Sequence, residues 1–220
     1  MTEIIYPIWR QRLARSLHIN RSQVHSKYFQ VASVCSNGYP KNRTVVFRGF
    51  LSGTQSLLSV TDLRSEKVTQ WQNDNHTRFE ICWYFSDSRE QYRLAGEVVL
   101  IANVLDSSKR DSSDKNSILG EQTKQSLLKQ QWSNLSPNAQ QPFYSSSPKA
   151  PFDENSLSEN PQNGPVIQNN VSDNGVEMSD NFCVIVFIPD TVDYLNLKSK
   201  PQQRCLYDKQ DAWKELLVNP

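Results

Sequence analysis

Ile8, Trp9, Leu13 and Leu17 recur at three- and four-residue intervals with basic and polar residues between them. The chain therefore opens on an amphipathic helix with one apolar face to bury. The period then changes to two. Tyr28 to Cys35 and Arg43 to Arg48 are β runs on either side of Ser36-Asn37-Gly38, a tight-turn composition, which predicts a hairpin. Leu57 to Val60 predicts a third strand, after which Thr61 or Asp62 caps a helix-like stretch running to Gln72. Arg78 to Phe85 and Gln91 to Ile101 are two further β runs around a polar turn. Phe182 to Ile188, dense in β-branched and aromatic residues, makes the sixth strand, and Glu121 to Leu135 is a helix candidate.

Short strands joined by hairpins, with few helices, predict a mainly β chain: a small antiparallel barrel, not a βαβ parallel sheet. The 220 residues suit one domain, 1–220. Only 37% of them are hydrophobic, below the roughly 45–50% of compact domains, so part of the chain is expected outside any core. Two polar stretches, 106–117 and 145–180, account for the deficit. The second is rich in Ser, Asn, Pro and Gln without an apolar period, and it reads as a disordered insertion.

A formal charge of +1 gives no global field for a duplex or an anionic membrane, so nucleic acid is not an expected partner. The longest apolar run, Phe182 to Ile188, falls far short of the roughly 18 residues a bilayer span requires. With no basic leader before the first helix, the chain reads as soluble and cytoplasmic. Cys35, Cys82, Cys183 and Cys205 are scattered without a C-x-x-C pair and read as four buried thiols in a reducing compartment. His18, His25 and His76 share no metal-ligand spacing. No dinucleotide glycine motif, P-loop or nucleophile elbow occurs.

The sharpest chemical feature is Thr61-Asp-Leu-Arg-Ser-Glu-Lys67. A strand ends and a helix begins where Arg64, the Ser65 hydroxyl and Lys67 meet free backbone N–H groups, a combination that suits a phosphate. The plainer alternative is a capped helix start with solvated charges. Arg43, on the neighbouring strand, adds a fork for phosphate oxygens or serves simply as a strand-end charge. Farther on, Gln91, Arg93 and Ala95 share one strand face and Tyr92, Leu94 and Gly96 the other, which predicts a polar face backed by a packed one.

Taken in order, these segments resemble the pyridoxamine-5′-phosphate-oxidase-like FMN-binding proteins. The resemblance is carried by Val34 through Asn37-Gly38, Pro40 and Arg43-Thr-Val-Val-Phe-Arg48, and by Val60 to Lys67. Trp83-Tyr-Phe85 with Arg89 to Gly96, and the closing Arg204-Cys-Leu-Tyr207 with Trp213 and Pro220, complete it. It implies a six-stranded antiparallel split β-barrel that forms a homodimer with FMN at the subunit interface. It implies an oxidoreductase acting on a small molecule, or alternatively a non-catalytic split barrel that holds flavin or another flat cofactor. Carried over by position, Arg43, Ser65 and Lys67 hold the phosphate, with Arg64 supplying a cation where Glu66 replaces a family arginine. Val45, Val60 and Thr61 line the flavin, Gln91 reaches it from the other subunit, Arg48 lies between flavin and substrate, and Arg204 faces the ring. Leu195 stands where the family has an aromatic residue, and Lys200-Pro201-Gln202 stands for its Arg-x-His. The cofactor half is thus kept and the substrate half is not.

Overall fold

The computed structural model describes residues 5–72, 77–104, 121–151 and 177–220; for 121 and 122 the backbone alone is described. The insertion centred on 106–117, most of the one at 145–180, and His76 lie outside the described residues. The chain divides into two compact units, one made of Met1–Val60, Glu66–Ile101 and Val184–Pro220, the other of Thr61–Ser65 and Ala102–Cys183.

Helix α1, Ile8–Ile19, buries Trp9 and Leu13 of the predicted apolar face and packs half-buried Leu17 against the core, whereas Ile8, at its first turn, is exposed. Strands β1, Tyr28–Val34, and β2, Pro40–Val46, form the predicted hairpin, with Val34 opposite Pro40. Its loop works because Gly38 takes φ +83, a left-handed backbone that costs glycine little, while its N–H donates to the Cys35 carbonyl. Strand β3, Leu57–Asp62, leads into α2, Glu66–Gln72. Strands β4, Arg78–Phe85, and β5, Glu90–Ile101, pair antiparallel along their whole common length.

Six strands were expected and the described residues form eight. The predicted sixth does not stop at Ile188; β6 runs Phe182–Asn196, and β7, Gln203–Asp208, and β8, Leu216–Val218, follow it. The sheet order is β2-β1-β4-β5-β6-β7-β8, with β3 paired to β6. Pro189 lies inside β6 because the ladder shifts register between Ala95 and Gly96 there, so its missing N–H falls at a bulge. The fold class stands: mainly β and antiparallel, of the split-barrel type.

The core of the larger unit is aromatic. Trp83 meets Phe29, Phe47 and Phe85 at ring-centroid distances of 5.1, 5.0 and 5.2 Å, and Phe187 meets Phe79 at 5.0 Å. Such pairs contribute about 0.5–1.5 kcal/mol each beyond the area they bury. In the smaller unit α3, Glu121–Ser133, carries Trp132 in its last turn, whose ring packs on Phe143 and Phe182 at 5.7 and 5.1 Å. Buried Ser179 donates to the Phe143 carbonyl at 2.9 Å, so the last residues of the expected 145–180 insertion are packed chain. The cysteine expectation is corrected in part: Cys183 and Cys205 are buried, whereas Cys35 and Cys82 are half-buried. No described helix is long and apolar enough to cross a membrane.

Candidate functional site

Arg43 is the anticipated cation held by neutral groups alone. It sits opposite Val31 in the β1–β2 ladder, and its guanidinium donates to Ser33 Oγ at 2.5 Å, to the Val31 carbonyl at 3.3 Å and to Gln70 Oε1 of α2 at 3.0 Å. Ser33 Oγ donates in turn to Gln70 Oε1 at 2.5 Å, which closes a small ring of polar contacts. Every one of these acceptors is neutral. Desolvation lowers the Arg43 pKa below the ordinary arginine value, with Glu66 a smaller opposing influence, yet a guanidinium stays charged at any physiological pH. A half-buried cation whose hydrogen bonds all go to neutral oxygens is an arrangement that an incoming anion completes. Lys67 lies three residues before Gln70, on the same face of α2.

In the smaller unit, Thr61 and Ser65 are buried and their hydroxyl oxygens lie 3.2 Å apart. Of the two anticipated caps it is Asp62 that holds the turn, accepting the Arg64 N–H at 2.8 Å. Arg64 is committed to the same carboxylate through Nε at 3.0 Å and Nη2 at 2.6 Å, and it donates to the Ser145 carbonyl at 2.9 Å. Its fork is therefore engaged by Asp62 within the turn and by the Ser145 carbonyl outside it.

Across the larger unit the strands align four residues in one row: Tyr84 faces Gln91, Gln91 faces Leu195, and Leu195 faces Arg204. Direct cross-strand partners project to the same side, so Gln91, Leu195 and Arg204, scattered over more than a hundred residues of sequence, share a single surface. Arg204 is held there by Asp193, Nη2 to Oδ2 at 2.6 Å and Nε to Oδ1 at 3.0 Å. Asp193 also faces Arg93 at 3.8 Å, and Arg93 pairs with Glu80, which makes a charge ladder across four strands. At this exposure the ladder adds little stability, but it fixes side-chain direction. Beside it a groove of about 420 Å³ is lined by Glu80, Arg93, Asp193, Asp208 and Lys214; none of the ten anticipated site residues lines it.

The remaining anticipated residues divide. The Val45 side chain is in the core opposite Phe29, so only its backbone can face a ligand. Val60 is a half-buried residue of β3. Arg48 is tied by its N–H to the Leu58 carbonyl at 2.8 Å, and its buried Nε has no hydrogen-bond partner among the described residues. Ser33, Gln70 and Asp193, the residues that orient Arg43 and Arg204, were not anticipated. The alternation Thr191-Val192-Asp193-Tyr194 beyond Pro189 was a signal for the last of them.

This sheet, antiparallel and mainly β, with Arg43 and Arg204 each held by neighbouring side chains, defines a protein of the split-barrel type. The sequence description of the pyridoxamine 5′-phosphate oxidase FMN-binding domain matches residues 6–102. A pyridoxine/pyridoxamine 5′-phosphate oxidase 2 of Arabidopsis thaliana is 32% identical over 223 residues, covering 96% of each chain. A crystal structure of a pyridoxamine 5′-phosphate oxidase-related, FMN binding protein from Nostoc punctiforme superposes with a TM-score of 0.76 at 36% identity, over 98% of this chain and 100% of that one. PhzG from Burkholderia lata, solved with tetrahydrophenazine-1-carboxylic acid, shares the fold at 13% identity and a TM-score of 0.53, over 96% of this chain and 90% of that one. The chain belongs to the pyridoxamine 5′-phosphate oxidase FMN-binding family.

Proposed function

We propose that the protein is an FMN-dependent oxidoreductase that acts on a small-molecule donor as a homodimer in the cytoplasm. The observation that carries this reading is Arg43, a half-buried guanidinium anchored by Ser33 and Gln70 on neutral oxygens alone. In this reading Arg43 and Lys67 take the cofactor phosphate with the Ser65 hydroxyl, while Arg64 stiffens the turn through Asp62. Val45 offers backbone, Val60 and Thr61 line the flavin from β3, and Arg48, with its unmet Nε donor, stands toward the substrate. Gln91 and Arg204 lie along the ring edge. Bound FMN would supply a hydride acceptor for the donor and a route for the electrons to oxygen or another acceptor. The chain's own residues bind it, orient it and exclude water.

The purified protein is expected to show visible flavin absorbance, and titration of Arg43→Ala tests the site. Loss of a charge-assisted contact of about 1.5–3 kcal/mol weakens FMN about ten- to a hundredfold, while riboflavin, which has no phosphate, changes little. Equal weakening of both flavins would mean that Arg43 does not meet the phosphate.

Dimerisation is supported by the outward apolar residues of the sheet, Tyr84 and Leu216, which are 44% and 60% exposed. A two-fold partner is the commonest way to cover such a face. Light scattering is expected to give close to twice the chain mass of 25.3 kDa, and a monomer that holds FMN tightly would contradict a shared site.

Lys200-Pro201-Gln202 offers one point charge and no imidazole to orient a phosphorylated pyridine. Pyridoxamine phosphate is therefore expected to turn over slowly, below about 1 s⁻¹ as followed by peroxide release. A rate above that at sub-millimolar substrate would make the protein a vitamin B6 oxidase like the Arabidopsis relative's name.

A further inference from the structure

Directly behind the row Gln91–Leu195–Arg204, on the buried side of the same sheet, lies a polar cluster that the flavin reading leaves unused. The row sits where three strands terminate: β5 begins at Glu90, β6 ends at Asn196 and β7 begins at Gln203. Strand ends open at low free energy unless something pins them. Here Glu90 is opposite Asn196, and its carboxylate turns inward. Ser16 Oγ of α1 donates to Glu90 Oε2 at 2.7 Å, and the Tyr194 hydroxyl of β6 donates to Oε1 at 2.6 Å. The Tyr92 hydroxyl lies 2.8 Å from Ser16 Oγ, and Asn196 Nδ2 donates to the Tyr194 hydroxyl at 3.2 Å. Burial is the largest cause raising both tyrosines above their ordinary pKa, so both hydroxyls keep the protons the network needs. The Leu197 N–H donating to the Arg89 carbonyl at 3.0 Å closes the end of the ladder.

The geometry has a directional meaning that an apolar contact lacks. A slip of one residue between β5 and β6 would carry Glu90 to the outer face and Gln91 to the inner one, breaking both charge-assisted bonds at once. The clamp also joins α1, β5 and β6 through a single carboxylate. We propose that Glu90 is a positioning residue for the flavin edge, locking from behind the register that places Gln91 beside Leu195 and Arg204. The inference rests on the flavin reading of that row.

The test titrates FMN and riboflavin, by flavin fluorescence quenching, into wild type, Glu90→Ala, Glu90→Gln and Tyr194→Phe, each at a temperature where it is folded. Because the ring edge and not the phosphate is affected, Glu90→Ala is expected to weaken both flavins alike, by about tenfold or more. Tyr194→Phe should weaken both by about threefold, and Glu90→Gln, which can still bridge Ser16 and Tyr194, should recover most of the affinity. In Glu90→Ala the amides of Gln91, Leu195 and Arg204 should exchange faster while that of Val31, in the β1–β2 hairpin, does not. A folded Glu90→Ala with wild-type affinity, or faster exchange spread equally to Val31, overturns the inference. If that variant does not fold, unchanged affinity in Tyr194→Phe overturns it instead. Wild type that binds neither flavin defeats the flavin reading and this inference together, whereas wild type and variants that bind equally well defeat this inference alone.

Discussion

Gly96→Ala is expected to destabilise the protein by about 3 kcal/mol or more and to leave little native chain, despite adding a single methyl group. Gly96 pairs with Phe79 on one side and Pro189 on the other, at the register shift between β5 and β6. A Cβ on Gly96 would overlap the Ile188 carbonyl oxygen and stand 2.9 Å from the Asp190 amide nitrogen. Both neighbours are backbone, so no side chain can swing aside and the two strands would have to part. Chemical denaturation with a fluorescence readout measures the loss. A cost under about 1 kcal/mol would mean that the bulge yields more easily than a paired ladder should.

Trp83→Ala is expected to cost about 4 kcal/mol, the range for deleting a fully buried indole. Trp83 has no solvent exposure, touches three other rings, and donates its indole N–H to the Ser26 carbonyl at 2.9 Å. The substitution therefore leaves a large cavity and an unmet carbonyl together. Against the roughly 5–15 kcal/mol total stability of ordinary domains, that is a large fraction. A lower denaturation midpoint with an unchanged slope is the expected signature. Trp83→Phe, which keeps the ring stacking but not the hydrogen bond, should fall between the two; if it matches Trp83→Ala, the polar contact outweighs the packing.

Much of the fold was legible because periodicity survives wherever one side of an element is buried. The α1 face of Trp9 and Leu13, the hairpin around Asn37-Gly38 and the alternation of β5 all follow from that. The second half of β6 was missed at Pro189, since proline ordinarily ends a strand; only the bulge contributed by β5, far away in sequence, makes room for it. Strand β8 was missed for the opposite reason. Leu216 and Leu217 are both exposed, so no buried face writes a pattern into so short a segment.

At the site, charge type was legible and partnership was not. Arg43 stood out as a cation in a strand, but Ser33 and Gln70 belong to different elements and carry no spacing that links them to it. Arg204 was reached through resemblance alone, and its hold on Asp193 depends on a β6–β7 pairing invisible to local pattern. Arg64 shows the converse: a cation at a helix start reads as available for phosphate, yet its nearest carboxylate is only two residues away.

The pairing of β5 with β6, in which Ile101 meets Val184, also governs when the site comes into existence. The β1–β2 and β4–β5 hairpins close over short stretches of chain and can form early. Strand β6 must first return across the whole segment from Ile101 to Phe182. Loop-closure entropy grows only slowly with such length, about 0.6 kcal/mol per doubling, so the insertion burdens equilibrium stability little. Folding rate is another matter, because contacts between distant parts of the chain slow it. Until β6 docks, Gln91 has neither Leu195 beside it nor Arg204 beyond, and a half-folded chain offers a ligand no such edge. Whatever binds that edge therefore draws the folding equilibrium toward the completed sheet and stabilises no earlier intermediate.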